Sequence, residues 1–296
     1  MNWISWIPLL GLAPILIMAG LLYWQNYRLD ADERREAITT ELCNPPAGSL
    51  QAQRDDLLER QFSRLFAAIV IGLSTVGIFS TRRAAKLPLD WDWLDSVALL
   101  VLIGCGIYYG VLMIREMPQS RKLRQAIRAE QATAQEIGSA LSGDNRIIHD
   151  VQAGEFNIDH VAITPAGVFA VETKSRLKPP AGQGADAVRV HYDGKVLKFP
   201  SWTESEPIEQ AARQAKWLAN YLKESTGKGY PVIPVLSLPG WFVVDPEHPR
   251  EQGVRVINPK NARYVLLPNR PSRLPPEAIQ AAAFQIQKLA LVAKPD

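Results

Sequence analysis

The chain has 296 residues, 47% of them hydrophobic, and 33 Lys and Arg against 30 Asp and Glu give it a formal net charge of +3. That length admits one or two domains, and two lone cysteines, Cys43 in a polar loop and Cys105 in an apolar run, exclude a disulfide framework and a cysteine metal cage. Charge is spread unevenly: residues 1–120 hold 10 basic against 12 acidic side chains, and residues 121–296 hold 23 against 18, which is compatible with a polyanionic partner.

Residues 3–24 form an apolar run without a charge, residues 65–81 a second and residues 96–114 a third. Each is about long enough for a helix to cross a bilayer core, the second near the lower limit. Trp3, Trp6, Trp24, Trp91 and Trp93 stand near the ends, where amphipathic rings favour the interface. The first run lacks the basic leader and the cleavage site of a signal peptide. A buried soluble helix is the rival reading of residues 65–81. Residues 25–64 read as a helical hairpin broken at "NPPAG", with Ser49 able to cap the second helix, its charges forming a solvated stalk or a partner surface. Eleven basic residues in that hairpin and after the third run face only Arg82, Arg83 and Lys86 on the other side. The bias puts the N-terminus outside and the C-terminal domain in the cytoplasm. Residues 1–118 are thus expected to be an all-α, three-helix anchor in an inner or plasma membrane.

After Met117-Pro118 a polar helix is expected to begin and run to about Leu141, with Ile127, Ala134, Ile137 and Leu141 as its apolar stripe. Glu130 lies on that stripe, an odd place for an unpaired carboxylate. "GDN" turns the chain into the strand "RIIHDV", and "QAGEFN" turns it into "IDHVAIT". "TPAG" then leads to "VFAVETK". Glu172 and Lys174 are two apart, so they share a strand face. Asp159 joins them only if the connection holds an even number of residues, as when Ile163 pairs with Val168, or Pro165 with Val168. His149 reads as a strand-surface residue, and His160 as a core residue on the face opposite Asp159.

"VRVHYDGKVLKF" predicts a small hairpin turning at Asp193-Gly194. Lys178, Arg189, Lys195 and Lys198, with the rings of His191, Tyr192 and Trp202, offer phosphate contacts and stacking surfaces. Basic hairpins are also ordinary soluble sheet edges. Residues 205–225 predict a helix capped by Ser205 and stopped at Gly227, with Ile208, Ala211, Ala215, Leu218 and Leu222 inward. Gln210 and Gln214 sit one turn apart on a neighbouring face, and Arg213 could reach a phosphate. "VIPVLSL" and "GWFVV" read as buried strands, the first with Pro234 arguing for an edge or a bulge. "GVRVIN" and "RYVLL" follow between Pro/Asn turns, and residues 275–293 form a last amphipathic helix.

Two carboxylates and an ammonium at one end of a sheet suit Mg²⁺, or Mn²⁺ in its place, which would neutralise a phosphate and activate water. In "NIDHVAITPAGVFAVETKS", the upstream "HDV" and the downstream "PIEQAARQAKWL", the sequence resembles the nuclease-related (NERD) domain, a branch of the PD-(D/E)xK restriction-endonuclease-like superfamily. The resemblance runs over roughly residues 130–267. It implies an α/β fold with a restriction-endonuclease-like mixed sheet flanked by helices over residues 119–270, the helix 271–296 packed against it. It further implies hydrolysis of phosphodiester bonds, with DNA as the expected substrate. Asp159 and Glu172 would hold the metal, with Glu130 assisting, although Ala129 stands where a glycine usually precedes that glutamate. Lys174 would position or deprotonate water and Gln210 would orient substrate, while Arg213 joins Lys178, Arg189, Lys195 and Lys198 as nucleic-acid contacts. The rival readings are a catalytically inactive, membrane-tethered module binding nucleic acid or protein, and a membrane-assembly factor working through the stalk. A homo-oligomer is compatible with each.

Overall fold

The computed structural model describes residue 24 and residues 43–84, 93–180, 182, 184–244, 253–267 and 274–291. The first apolar run, apart from Trp24, and the first helix of the expected hairpin lie outside the described residues. The chain divides into two compact units, Met1–Thr39 with Arg54–Arg121, and Thr40–Gln53 with Lys122–Asp296.

The first unit contains most of α1 (Gly48–Ala84) and the N-terminal part of α2 (Trp93–Ala140). Arg64 Nη1 meets Glu116 Oε1 at 2.5 Å and ties the two helices together. The expected second run is helical, as part of α1. Among the described residues, however, only Leu99–Ala140 is long and apolar enough to cross a membrane, its best window having a mean hydropathy of 1.6 and no burial. Of the three expected spans, only the third therefore lies in a helix of that length and apolarity among the described residues. The sequence predicts a fresh helix after Pro118, but α2 runs through it. A proline removes one backbone donor, a loss that a long helix can absorb.

In the second unit, alternating and β-branched segments form a five-stranded sheet in the order β1-β2-β3-β7-β9. Its strands are β1 (Arg146–Ala153), β2 (Phe156–Thr164), β3 (Gly167–Thr173), β7 (Val232–Ser237) and β9 (Arg255–Ile257). The first three are antiparallel, and β7 and β9 continue the sheet in parallel. A four-stranded sheet has the order β6-β5-β4-β8, from β4 (Arg189–Tyr192), β5 (Leu197–Lys198), β6 (Thr203–Glu204) and β8 (Phe242–Val244). On one side of the larger sheet, Ala215, Leu218 and Leu222 of α3 (Glu206–Thr226) and Ile279, Ala282 and Ile286 of α5 (Pro276–Gln287) cover Val161, Ile163, Val168 and Ala170. Ile137 of α2 and Ala262 and Leu266 of the short α4 (Ala262–Leu266) cover Ala162, Phe169, Val171 and Val235 on the other. Apolar cover on both faces is what near-continuous hydrophobic strands require.

Ile163 pairs with Val168 and Thr164 with Gly167, so Pro165 and Ala166 make a two-residue connection. A side chain at Gly167 would come within 2.9 Å of the Pro231 carbonyl at φ 146°, which reserves this turn for glycine. Pro234 lies in a strand with a neighbour on each side, but the β9 ladder begins only at Val235. The missing N–H of Pro234 thus falls where no partner strand needs it. The segment "RYVLL" is α4, a helix, preceded by Asn258, whose side chain caps Lys260 N–H at 3.2 Å. That Asn-Pro pair is a helix-start signal, and it overrides the β-rich composition. Ser205 does not cap α3 with its side chain; its hydroxyl bonds Glu209 Oε1 at 3.1 Å instead.

Candidate active site

The site grows from the register of β2 and β3. Continuing the ladder one step beyond His160–Val171 sets Asp159 opposite Glu172. There the ladder gives way to a side-chain bond: Thr173 N–H donates to Asp159 Oδ2 at 2.6 Å. Asp159 is thus fixed to the backbone of the strand that carries Glu172 and Lys174.

Glu172 is 3% exposed, and its carboxylate is held from three directions. Gln210 Nε2 donates to Oε1 at 2.8 Å and Gln214 Nε2 to Oε2 at 2.6 Å. Lys174 Nζ lies 2.8 Å from Oε1. Both glutamines come from α3, one helical turn apart, which puts them on one face above the sheet. Gln214 is itself buried and donates also to the Asn157 carbonyl at 2.9 Å. Its role as a second grip on Glu172 was not assigned from sequence, although its i,i+4 spacing from Gln210 was a usable signal.

Glu130 arrives from α2, buried at 8% exposure, and its carboxyl makes no hydrogen bond or ion pair among the described residues. Burial, and then the charges of Asp150 and Glu172, push its pKa up to about 8, against the pull of Lys174. Asp159 is likewise raised well above the usual carboxylate range, by burial first and then by Glu172 and Glu130, with Thr173 N–H and Lys174 opposing. Part of Asp159 still meets solvent, but its bonded oxygen is drawn in against the strand. Desolvation of the charged form is the larger physical cause, and repulsion among like charges adds to it.

Glu130, Asp159, Glu172 and Lys174 line one cavity of about 720 Å³, together with Lys122, Gln125, Arg176 and Trp202. Among the described residues, no group of three or more His, Cys, Asp or Glu is close enough to form a ready metal cage. The donors present nonetheless suit a hard cation that keeps its own waters and takes one or two carboxylates. Asp159 Oδ1 accepts no bond among the described residues. Glu172 has used three of about four lone-pair positions. Burial first, and then repulsion from neighbouring carboxylates, press Glu130 and Asp159 toward the neutral form against the pull of Lys174.

Asp150, part of the "HDV" that carries the resemblance but given no role from sequence, sits beside this group. Its φ of 48° is rare for a non-glycine residue. The left-handed backbone shifts the alternation of β1, so Ile148, Val151 and Ala153 join one apolar cluster that strict period-two spacing would split. Asp150 Oδ2 accepts from Ser49 N–H at 2.6 Å, at the start of α1, and Oδ1 from Asn157 Nδ2 at 2.8 Å. No residue-level pattern announces such a backbone. His149 and His160 do not line the cavity. They share a bond between their Nδ1 atoms at 2.9 Å, and burial, then His149, holds the His160 pKa down to about 3. His149 is therefore a partner of the core histidine rather than a strand-surface residue.

The basic residues expected to meet nucleic acid are not gathered here. Arg189 pairs with Asp186 at 3.1 Å, Lys198 with Asp193 at 2.9 Å and Arg213 with Glu209 at 4.0 Å. None of these, nor Lys178 or Lys195, lines the carboxylate cavity.

The second unit is thus a mixed α/β domain with three carboxylates and a lysine around one cavity. Residues 125–239 match the model of the NERD family, described as nuclease-related domain, and the match supports that family for this stretch. No curated protein and no solved structure matches the chain.

Proposed function

We propose that the protein is a membrane-anchored, Mg²⁺-dependent nuclease of the PD-(D/E)xK type, hydrolysing phosphodiester bonds of DNA at the cytoplasmic face. The convergence of Glu130, Asp159, Glu172 and Lys174 on one cavity carries this reading. Asp159 and Glu172 would hold the ion, with Glu130 adding charge. When bound, it supplies charge neutralisation on phosphate and a lowered pKa for water.

The chain's own groups perform the rest. Gln210 and Gln214 fix the rotamer of Glu172, so its carboxylate does not reorganise when substrate arrives. Lys174 stands 2.8 Å from that carboxylate, with 22% of its side chain exposed, placed to steady a nucleophilic water or the charge growing on the attacked phosphate. The apolar stretch within Leu99–Ala140 would supply the anchor, and the basic residues after it favour the cytoplasmic side.

A non-catalytic binding module is the second reading. It is favoured by the three contacts that already hold the Glu172 carboxylate. A cleavage assay on the full chain separates the two. Mg²⁺-dependent DNA cleavage, lost in Lys174→Ala and Asp159→Asn proteins that remain folded, supports the nuclease. DNA binding without cleavage, unaffected by Mg²⁺, supports the module.

A further inference from the structure

Trp202 shares the cavity with the carboxylates and Lys174, although it lies about thirty residues further along the chain. It closes the β5–β6 hairpin: Phe199 N–H donates to the Trp202 carbonyl at 2.9 Å. That turn stacks the two rings face to face, with centroids 4.3 Å apart and planes 9° from parallel. Trp241, fully buried, stands edge-on to both, at 82° to Phe199 and 88° to Trp202. Phe199 therefore covers one face of the Trp202 indole, and no other aromatic ring among the described residues stacks on the second.

The ring is also held at a set place relative to the lysine. Arg176, two residues after Lys174, grips Glu204, two residues after Trp202, through two bonds of 2.9 and 2.8 Å. Trp241 Nε1–H donates to the Arg176 carbonyl at 3.3 Å. The guanidinium of Arg176 is thus spent on positioning this corner. A half-buried indole held by Phe199 and Trp241, lining a cavity that also carries Lys174 and Lys122, offers two things: an aromatic surface toward the cavity and positive charge for a phosphate.

We infer that Trp202 is the base-stacking platform of the site, and that the substrate presents an unpaired nucleotide, as single-stranded nucleic acid does. This rests on the nuclease reading and adds the strand state of its substrate. A base inside a duplex has both faces occupied by its neighbours and can meet the indole only after leaving the stack. A base in a single strand has its face available, and aromatic stacking of such bases is tolerant of sequence.

The test uses the full chain in detergent with EDTA, so that binding is read without cleavage. Fluorescence anisotropy follows labelled oligothymidylate and a labelled blunt duplex. Trp202→Ala should weaken binding of the single strand about tenfold or more, and Trp202→Phe should restore it to within about threefold of the native chain. Duplex binding should be equal in all three. Unchanged single-strand affinity in Trp202→Ala, an equal loss for both probes, or a Trp202→Phe protein as weak as Trp202→Ala would overturn the inference. Binding of the duplex alone by the native chain would overturn it and leave the nuclease reading standing. Failure of the native chain to bind either probe would overturn the inference, and the nuclease reading would then stand or fall on the Mg²⁺-dependent cleavage assay.

Discussion

Lys174 is the residue on which the chemistry turns most sharply. Its ammonium sits 2.8 Å from Glu172 and opens into the cavity. On the nuclease reading, removing it withdraws the positive charge proposed to face the phosphate, and it leaves the buried Glu172 without its ion-pair partner. Lys174→Ala should lower cleavage at least about a hundredfold and lower the unfolding midpoint while the protein keeps its folded circular dichroism spectrum at about 25 °C, a pairing checked by kinetics and circular dichroism together. Glu130 predicts a pH signature. Its folded pKa, about 8, lies above the ordinary 4.5, so the neutral carboxyl is the form the fold favours. The stability it contributes is whole below about 4.5 and drains away as pH rises through about 8. In metal-free buffer, Glu130→Gln should therefore raise the melting temperature at pH 8.5 by about 3 °C or more and leave it unchanged at pH 4. Equal melting temperatures at both pH values would contradict the burial of that charge.

At the scale of elements, α3 and the start of α1 hold the site in shape. Gln214 serves two acceptors, Glu172 Oε2 and the Asn157 carbonyl. Gln214→Leu strands both in a buried place and should cost about 1–3 kcal/mol in urea unfolding, more than Gln210→Leu, whose residue has one bond and more solvent. Asp150→Ala removes the acceptor for Ser49 N–H and for Asn157. It should cost about 1–2 kcal/mol, whereas Asp150→Asn, which tolerates the left-handed backbone, should cost less.

The elements also mark what the sequence could say. Spacing alone put Glu172 and Lys174 on one face, and the two-residue connection at Pro165-Ala166 put Asp159 with them, because a strand has period two and a turn has a parity. Gln210 was legible only through the resemblance of "PIEQ" to the NERD segment, since spacing alone does not separate it from Gln214. Asp150 was not, since a single left-handed residue leaves no periodic trace. The five basic residues are a different case. Charge in a sequence carries no direction, and in the fold Arg189, Lys198 and Arg213 lie beside exposed carboxylates, outside the cavity.

At the scale of the whole molecule, the proposed anchor belongs to the first unit. The apolar stretch within Leu99–Ala140 exposes large side chains, Leu100, Ile107 and Ile114 among them. In water that face would be costly, and in lipid it is not. After alkaline carbonate extraction the chain should stay with the membrane pellet, and release into the supernatant would contradict the anchor.

The central claim is that Asp159, Glu172 and Glu130 hold a divalent ion beside Lys174. Titrating Mn²⁺ into the full chain, followed by electron paramagnetic resonance, tests it without any substrate. The account predicts saturable binding in the native chain that weakens about tenfold or more in Asp159→Asn, with release of protons near neutral pH as the raised carboxyl groups ionise. A native chain that takes up no Mn²⁺, or an Asp159→Asn chain that binds it equally well, would contradict it.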